Sequence, residues 1–140
     1  MVGVYVDLVE TLKYFWMMGR KKINEEIRRQ VYNKYNGHCA YCGCELEYKN
    51  MQVDHLDSVY RAEAEGRVAE ESLDNYMPAC RQCNFYKGTF TIEGLRRKLM
   101  NFNERLMTEF STRLAQKYGM LNVQWWDGKF YFEKEESNGN

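Results

Sequence analysis

The sequence predicts an α+β fold in which short strands and helices are assembled around a metal site. Three observations carry this prediction: two Cys-x-x-Cys pairs, apolar residues at helical spacing in two long segments, and an aromatic pattern on both sides of an Asp-Gly turn near the C-terminus. With 140 residues the chain is long enough for one domain with a small core. A bound metal would supplement that core.

The two cysteine pairs, Cys39/Cys42 and Cys80/Cys83, predict a tetrahedral zinc site, since a two-residue spacer lets both thiolates of a tight turn face one ion. Four unconnected thiols are disfavoured because the pairs match. A redox function is disfavoured because no thioredoxin-like βαβ pattern surrounds either pair. The fifth cysteine, Cys44, could compete as a ligand, and we interpret it as a free thiol. This cysteine usage is typical of a reducing compartment, which favours a cytoplasmic location.

A helix is predicted over residues 24–36. Asn24 is suited to the N-cap, and Glu25 and Glu26 favour the positive end of the helix. Gly37 is suited to the position just past the C-terminus. The helix would lead directly into the first cysteine pair.

A short hairpin is predicted next, with strands over 45–48 and 51–55. Its second strand would carry Asp54 and His55, which point to opposite faces unless the strand ends or bends there. We expect the strand to end at this point. An acidic loop, 56–73, should follow, with a helical turn over residues 59–65.

The second half of the chain is predicted to be helical at first. A short helix should begin at Cys83 and end at Gly88. From Thr91, a suitable N-cap, apolar residues recur at spacings of three and four to about residue 118, where Gly119 ends the pattern. We expect two helices here, with a break near Thr108.

A C-terminal hairpin is predicted over 122–134, around the turn Asp127-Gly128. Its aromatic residues are interpreted as core rather than as platforms for stacked bases. Residues 135–140 should form a frayed tail.

The N-terminal residues 2–18 are apolar and aromatic, but Asp7, Glu10 and Lys13 interrupt the run and no basic residue precedes it. This pattern argues against both a signal peptide and a membrane span. We expect a helix or strand packed on the core, with a dimer arm as the alternative.

The formal net charge is zero, so the whole chain gives no electrostatic indication of nucleic-acid binding. Basic residues are nevertheless concentrated in the segments 20–34 and 81–98, on either side of the candidate metal site. Such patches could hold a phosphate backbone, or they could be solvated helix faces. The candidate contact residues are Lys21, Lys22, Arg81, Lys87, Arg96 and Arg97.

The order Cys-x-x-Cys, Asp-His, Asn and Cys-x-x-Cys-Asn-x-x-Lys-Gly resembles the HNH endonucleases of phages and bacteria. The matching residues are Cys39, Cys42, Asp54, His55, Asn75, Cys80, Cys83, Asn84, Lys87 and Gly88. The combined motif is more specific than any one of its parts. One departure is that family members often place an apolar residue and then a proline after Asp-His, whereas this chain continues with Leu56-Asp57-Ser58 into the acidic loop.

The resemblance implies a ββα-metal core with a structural zinc knuckle, flanked by helices and the C-terminal hairpin. It also implies catalytic roles: His55 as general base, Asp54 and Asn84 as ligands of magnesium or manganese, and Asn75 as the residue that orients the imidazole. The side chains support these roles, because an imidazole titrates near neutral pH and oxygen ligands suit hard divalent ions. Taken alone, Asn75 could equally be a turn residue, and Lys87 either a phosphate contact or a surface lysine.

The domain prediction is one HNH nuclease domain over residues 1–140. It comprises an N-terminal extension (1–20), the core (21–100), a C-terminal helix and hairpin (101–134) and the tail. The predicted function is metal-dependent hydrolysis of DNA, by nicking, in the cytoplasm of a bacterial host cell, with a homodimer or protein partner left open. The alternative is an inactive zinc module that binds nucleic acid or inhibits a protein partner.

Overall fold

A computed structural model describes residues 22–139. The prediction for the N-terminal segment 2–18 therefore lies outside the described residues. The first helix, α1, runs over Glu25–Asn33, and the Asn24 side chain accepts a hydrogen bond from the backbone N–H of Ile27 at 2.8 Å. The predicted helix and its N-cap are thus confirmed, although the helix ends three residues before the predicted residue 36.

The sheet has two antiparallel strands, β1 (Gln52–His55) and β2 (Tyr76–Ala79), and His55 lies directly opposite Tyr76. The predicted hairpin between 45–48 and 51–55 is wrong. Tyr48–Asn50 forms a short 3-10 helix, and the Arg28 guanidinium binds the carbonyls of Tyr48 and Met51. The partner strand β2 is buried along its whole length. Pairing of β1 with this apolar segment is therefore favoured over pairing with the more polar segment 45–48.

A short helix follows each of the two strands. Helix α2 (Val59–Ala64) confirms the predicted helical turn in the acidic loop. Helix α3 (Arg81–Lys87) follows β2, and the Cys80 Sγ caps it by accepting from the N–H of Cys83. It begins two residues earlier than predicted and ends at Gly88, whose φ of 50° favours glycine. Together β1, β2 and α3 form the small ββα core.

The long helical pattern is confirmed as two helices, α4 (Ile92–Thr108) and α5 (Phe110–Lys117). The Thr91 side chain caps α4 by accepting from the N–H of Gly94 at 3.0 Å. The break falls at Glu109, which is extended, next to the predicted Thr108. Among residues 22–139, no helix is both long and apolar enough to cross a membrane.

The predicted C-terminal hairpin is wrong, and the predicted tail is largely helical. The chain turns at Gly128 and then forms helix α6 (Tyr131–Asn138). The Glu133 carboxylate accepts from the N–H of Phe130 at 2.8 Å and also binds Arg96 of α4. The cap formed by Glu133 and its ion pair with Arg96 therefore stabilise a helix where the sequence predicted the second strand of the hairpin.

The start of α6 packs onto the first cysteine pair. The N–H groups of Tyr131 and Phe132 donate to the carbonyls of Tyr41 and Ala40 at 3.1 and 2.8 Å. Phe130 and Phe132 are buried in the core, so the interpretation of these two as core residues is correct, whereas Trp125 remains 70% exposed. The same core contains Val31 of α1, and so one apolar core joins both ends of the described chain.

Candidate metal centres and active site

The four paired cysteines come together in one cluster. Their Sγ atoms all lie within 4.8 Å of one another, although the two pairs are far apart in the sequence. The first pair lies in the turn after α1, and the second lies at the start of α3. Folding therefore closes a long loop at this point.

The cluster is compatible with zinc. In a tetrahedral site with Zn–S bonds of about 2.3 Å, sulfur atoms lie roughly 3.8 Å apart, close to the spacing here. Backbone N–H groups support the thiolates, since the N–H of Cys80 lies 3.3 Å from the Cys39 Sγ. A hydrogen bond from Cys83 lowers the pKa of Cys39, and the same bond raises the pKa of Cys83. Cys44 is exposed and outside the cluster, while its carbonyl accepts from the N–H of Cys39.

Asp54 lies in β1 and is buried, with 8% of its surface exposed. Its Oδ2 accepts a short hydrogen bond from the Tyr41 hydroxyl and lies 3.0 Å from the Lys87 Nζ. Burial, together with the Asp54 charge, raises the pKa of Tyr41 well above its ordinary value, so the phenol remains a donor. Within residues 22–139, the second oxygen, Oδ1, makes no hydrogen bond.

Lys87 corrects a prediction. Neither a phosphate contact nor a surface lysine fits its position, because its side chain is fully buried. Besides the ion pair with Asp54, its ammonium donates to the backbone carbonyl of His55 at 2.7 Å. A buried ammonium needs such partners, and an acidic residue in β1 supplies the strongest one. Lys87 thus ties α3 to the end of β1.

His55 is the last residue of β1, so the strand ends where the sequence predicted. Its ring contacts the edge of Tyr76 at a centroid distance of 5.1 Å, and its Nε2 lies 3.3 Å from the Glu71 Oε2. Tyr76 donates a short hydrogen bond to the same Glu71 oxygen. Burial and then this bond raise the pKa of Tyr76 to about 12, so its hydroxyl keeps its proton. The Glu71 carboxylate therefore contacts both the Tyr76 hydroxyl and the His55 ring.

Asn75 is placed differently from the expectation that it binds the imidazole directly. Its Oδ1 accepts from the N–H of Asp57 at 2.7 Å, and its Nδ2 donates to the carbonyls of Asp57 and Glu70. These contacts are those of a turn residue, which was the alternative for Asn75 that the sequence left open. Because Glu70 precedes Glu71, Asn75 fixes the loop that carries the imidazole's partner.

Lys34 of the first helix holds the other side of this loop. Its Nζ donates to the carbonyls of Leu73 at 2.8 Å and Tyr76 at 3.2 Å. Burial is the main cause that lowers the pKa of Lys34 from its usual value. The charge pattern placed Lys34 in a basic patch, whereas its hydrogen bonds hold the backbone of this loop.

Asn84 lies half-buried in α3, one turn before Lys87, and residues at this spacing are neighbours on a helix surface. Since Lys87 reaches β1, Asn84 lies on the side of α3 near that strand. Among the described residues, its side-chain amide makes no hydrogen bond. The side-chain amide oxygen of Asn84 is therefore available as a ligand.

The predicted nucleic-acid contacts divide into several groups. Arg81, Arg97 and Lys22 are exposed, whereas Lys21 lies outside the described residues. Arg96 corrects the prediction: its guanidinium binds Glu133, Glu93 and the Gly128 carbonyl, and only 18% of its side chain is exposed. Its charge is neutralised within the fold because it anchors α6 to α4.

Sequence reasoning missed three residues of the site: Tyr41, Glu71 and Tyr76. The position of Tyr41 inside a cysteine pair was a usable signal, because a metal-bound turn fixes the direction of its side chains. Tyr76 could have been found by pairing the apolar segment 76–79 with 52–55. Glu71 had no signal of its own among the acidic residues of the loop.

The fold and these side chains define a ββα core with a cysteine cluster and an Asp-His pair, and family comparison agrees. Residues 39–90 match the family model described as HNH endonuclease, which agrees with the family that the motif resembles. The CRISPR-associated endonuclease Cas9 of Corynebacterium diphtheriae is 34% identical over 61 residues, which are 44% of this chain and 5% of that protein. The chain thus spans only a small part of the relative's length.

A solved structure, the Type II-C Cas9 enzyme from Actinomyces naeslundii, is also similar. The match covers 86% of this chain and 16% of that one, with a TM-score of 0.46 and 18% sequence identity.

Proposed function

We propose that this protein is a metal-dependent HNH endonuclease that hydrolyses DNA phosphodiester bonds. The observation that carries the proposal is the position of His55 at the end of β1, directly after the buried Asp54 and with its ring held by Glu71. The cysteine cluster lies in the same domain. A module that only binds nucleic acid would not need His55, Asp54 and Glu71 together. That the Corynebacterium relative is named an endonuclease supports the assignment.

Asp54 and Asn84 are the proposed ligands of a magnesium or manganese ion. Both offer hard oxygen atoms, and Asp54 keeps its Oδ1 without a hydrogen bond among the described residues. When bound, the ion would supply Lewis-acid stabilisation of the negative charge that develops on the phosphate. The four cysteines would hold a separate, structural zinc ion.

His55 is the proposed general base. Because Glu71 can accept the Nε2–H, the neutral ring would keep its Nδ1 lone pair for a proton from water. The water oxygen then bonds to phosphorus, the bond from phosphorus to the leaving sugar oxygen breaks, and solvent protonates that oxygen. Asn75 contributes by positioning the loop that carries Glu71.

The exposed Arg81, Arg97 and Lys22, together with Lys21, are the proposed contacts to the DNA backbone. A single site of this kind would cut one strand in each engagement. Cleavage of both strands would require a homodimer, a protein partner or two successive events.

A plasmid-nicking assay tests the proposed function. We expect the full chain to convert supercoiled plasmid to the nicked form with magnesium or manganese, and EDTA to stop the reaction. Binding of the plasmid without nicking under all of these conditions would instead support the inactive zinc module.

Glu71→Gln is expected to slow nicking about tenfold, mainly through kcat, because a neutral amide holds the imidazole less strongly in the working orientation. Single-turnover rates over a range of DNA concentrations would separate kcat from KM. Glu70→Gln is the matched control, since it removes the same charge one residue away and keeps the carbonyl that binds Asn75. Equal rates in the two variants would contradict the role of Glu71.

A further inference from the structure

Tyr41 connects the first cysteine pair to the proposed ion site. It lies between Cys39 and Cys42, and its hydroxyl donates to the Oδ2 of Asp54. The residue is 5% exposed. Its ring meets Phe130 and Phe132 edge to face, at centroid distances of 5.9 and 6.5 Å. The hydroxyl therefore has little freedom to leave the carboxylate.

The helix that begins at the second cysteine pair supplies a cation for this carboxylate. Cys80 caps α3, and α3 carries Lys87, whose Nζ lies 3.0 Å from the same Oδ2. One donor thus lies within the first cysteine pair and the other at the end of the helix that the second pair begins, and both approach the same oxygen. This arrangement holds Oδ2 from two sides and leaves Oδ1 without a hydrogen bond among the described residues.

We infer that Tyr41 is a positioning residue that presents the Oδ1 of Asp54 to the divalent ion. The inference rests on the proposed function, because it requires Asp54 to be an ion ligand. Tyr41 is expected to raise ion affinity without touching the ion or the DNA. A residue that only filled the core would affect stability and leave ion affinity unchanged.

Tyr41→Phe tests the inference because it keeps the ring and removes only the hydroxyl. We expect manganese binding, measured by the EPR signal of free Mn²⁺, to weaken roughly tenfold, within the usual range for loss of a residue that orients a metal ligand. We also expect nicking to need more manganese for half-maximal rate and to recover at saturating ion. Metal bound by the cysteines should remain at the wild-type level.

Tyr35→Phe is the matched control. Tyr35 is another buried tyrosine of the core, and its hydroxyl binds Glu136 at 3.0 Å, away from Asp54. If Tyr41→Phe and Tyr35→Phe bind manganese equally well, the inference about Tyr41 is wrong.

Asp54→Asn separates this inference from the proposed function. If Asp54→Asn weakens manganese binding and Tyr41→Phe does not, only the role of Tyr41 is overturned. If Asp54→Asn leaves manganese binding unchanged, Asp54 is not a ligand, and the proposed ion site and the inference are both wrong.

Discussion

His55→Ala is expected to reduce nicking by roughly 10²- to 10⁴-fold, the usual contribution of a general base. The ring is partly exposed, and its contacts are with Tyr76 and Glu71 at the edge of the sheet, so alanine should leave the core intact. We therefore expect an unchanged thermal unfolding midpoint and unchanged metal content of the cysteine cluster. Rates of plasmid nicking under saturating manganese would measure the effect.

His38→Ala is the matched control, because the chain has two histidines. The His38 ring stacks on Tyr131 and its Nδ1 lies near the Asn36 carbonyl, outside the proposed active site. This variant should nick DNA at the wild-type rate. If His55→Ala nicks as fast as His38→Ala, His55 is not the general base. If the wild type is no faster than His55→Ala, the inactive zinc module gains support.

Cys80→Ser is expected to abolish metal binding by the cluster and to lower the unfolding midpoint by roughly 20 °C or more. Metal-binding free energies of about 10–16 kcal/mol in small zinc domains contribute directly to folding, and in a chain of about 150 residues each kcal/mol corresponds to about 2–4 °C. Serine is a good N-cap, so it should still cap α3. The loss would therefore report the metal rather than the helix cap. Calorimetry and metal analysis of the purified variant would measure both effects.

Cys44→Ser provides the control for this substitution. Cys44 is exposed, its carbonyl accepts from the N–H of Cys39, and its backbone N–H and thiol contact Cys42. Serine keeps both backbone groups and puts a hydroxyl in place of the thiol. We expect wild-type metal content and stability. A Cys80→Ser variant that loses its metal and melts like Cys44→Ser would contradict a structural role for the cluster.

Local features could be predicted where the signals lie within a few residues. The caps Asn24 and Thr91, the break near Thr108 and the end of α3 at Gly88 were all predictable from capping and glycine preferences. The cysteine cluster was predictable for a different reason: its spacing is a chemical requirement of a metal site. The Asp-His pair followed from the motif.

Strand pairing could not be predicted in the same way. The local turn signal favoured pairing of segment 51–55 with its neighbour 45–48, whereas β1 pairs with the buried strand Tyr76–Ala79. The C-terminal Asp-Gly turn predicted a hairpin, but Arg96 and Glu133 favour a helix that packs on the first cysteine pair. In both cases the deciding residues are distant in sequence.

The sequence by itself determined the chemical groups of this protein: four thiols for a metal, an imidazole beside a carboxylate, and two asparagines. Only the tertiary structure decided their partners. It buried Lys87 against Asp54, turned Tyr41 toward the same carboxylate, and placed Glu71 beside His55. The physical reason is that buried charges and hydrogen-bonding groups must find partners when the chain becomes compact. Which partners they find depends on the packing of helices and strands that no local pattern specifies.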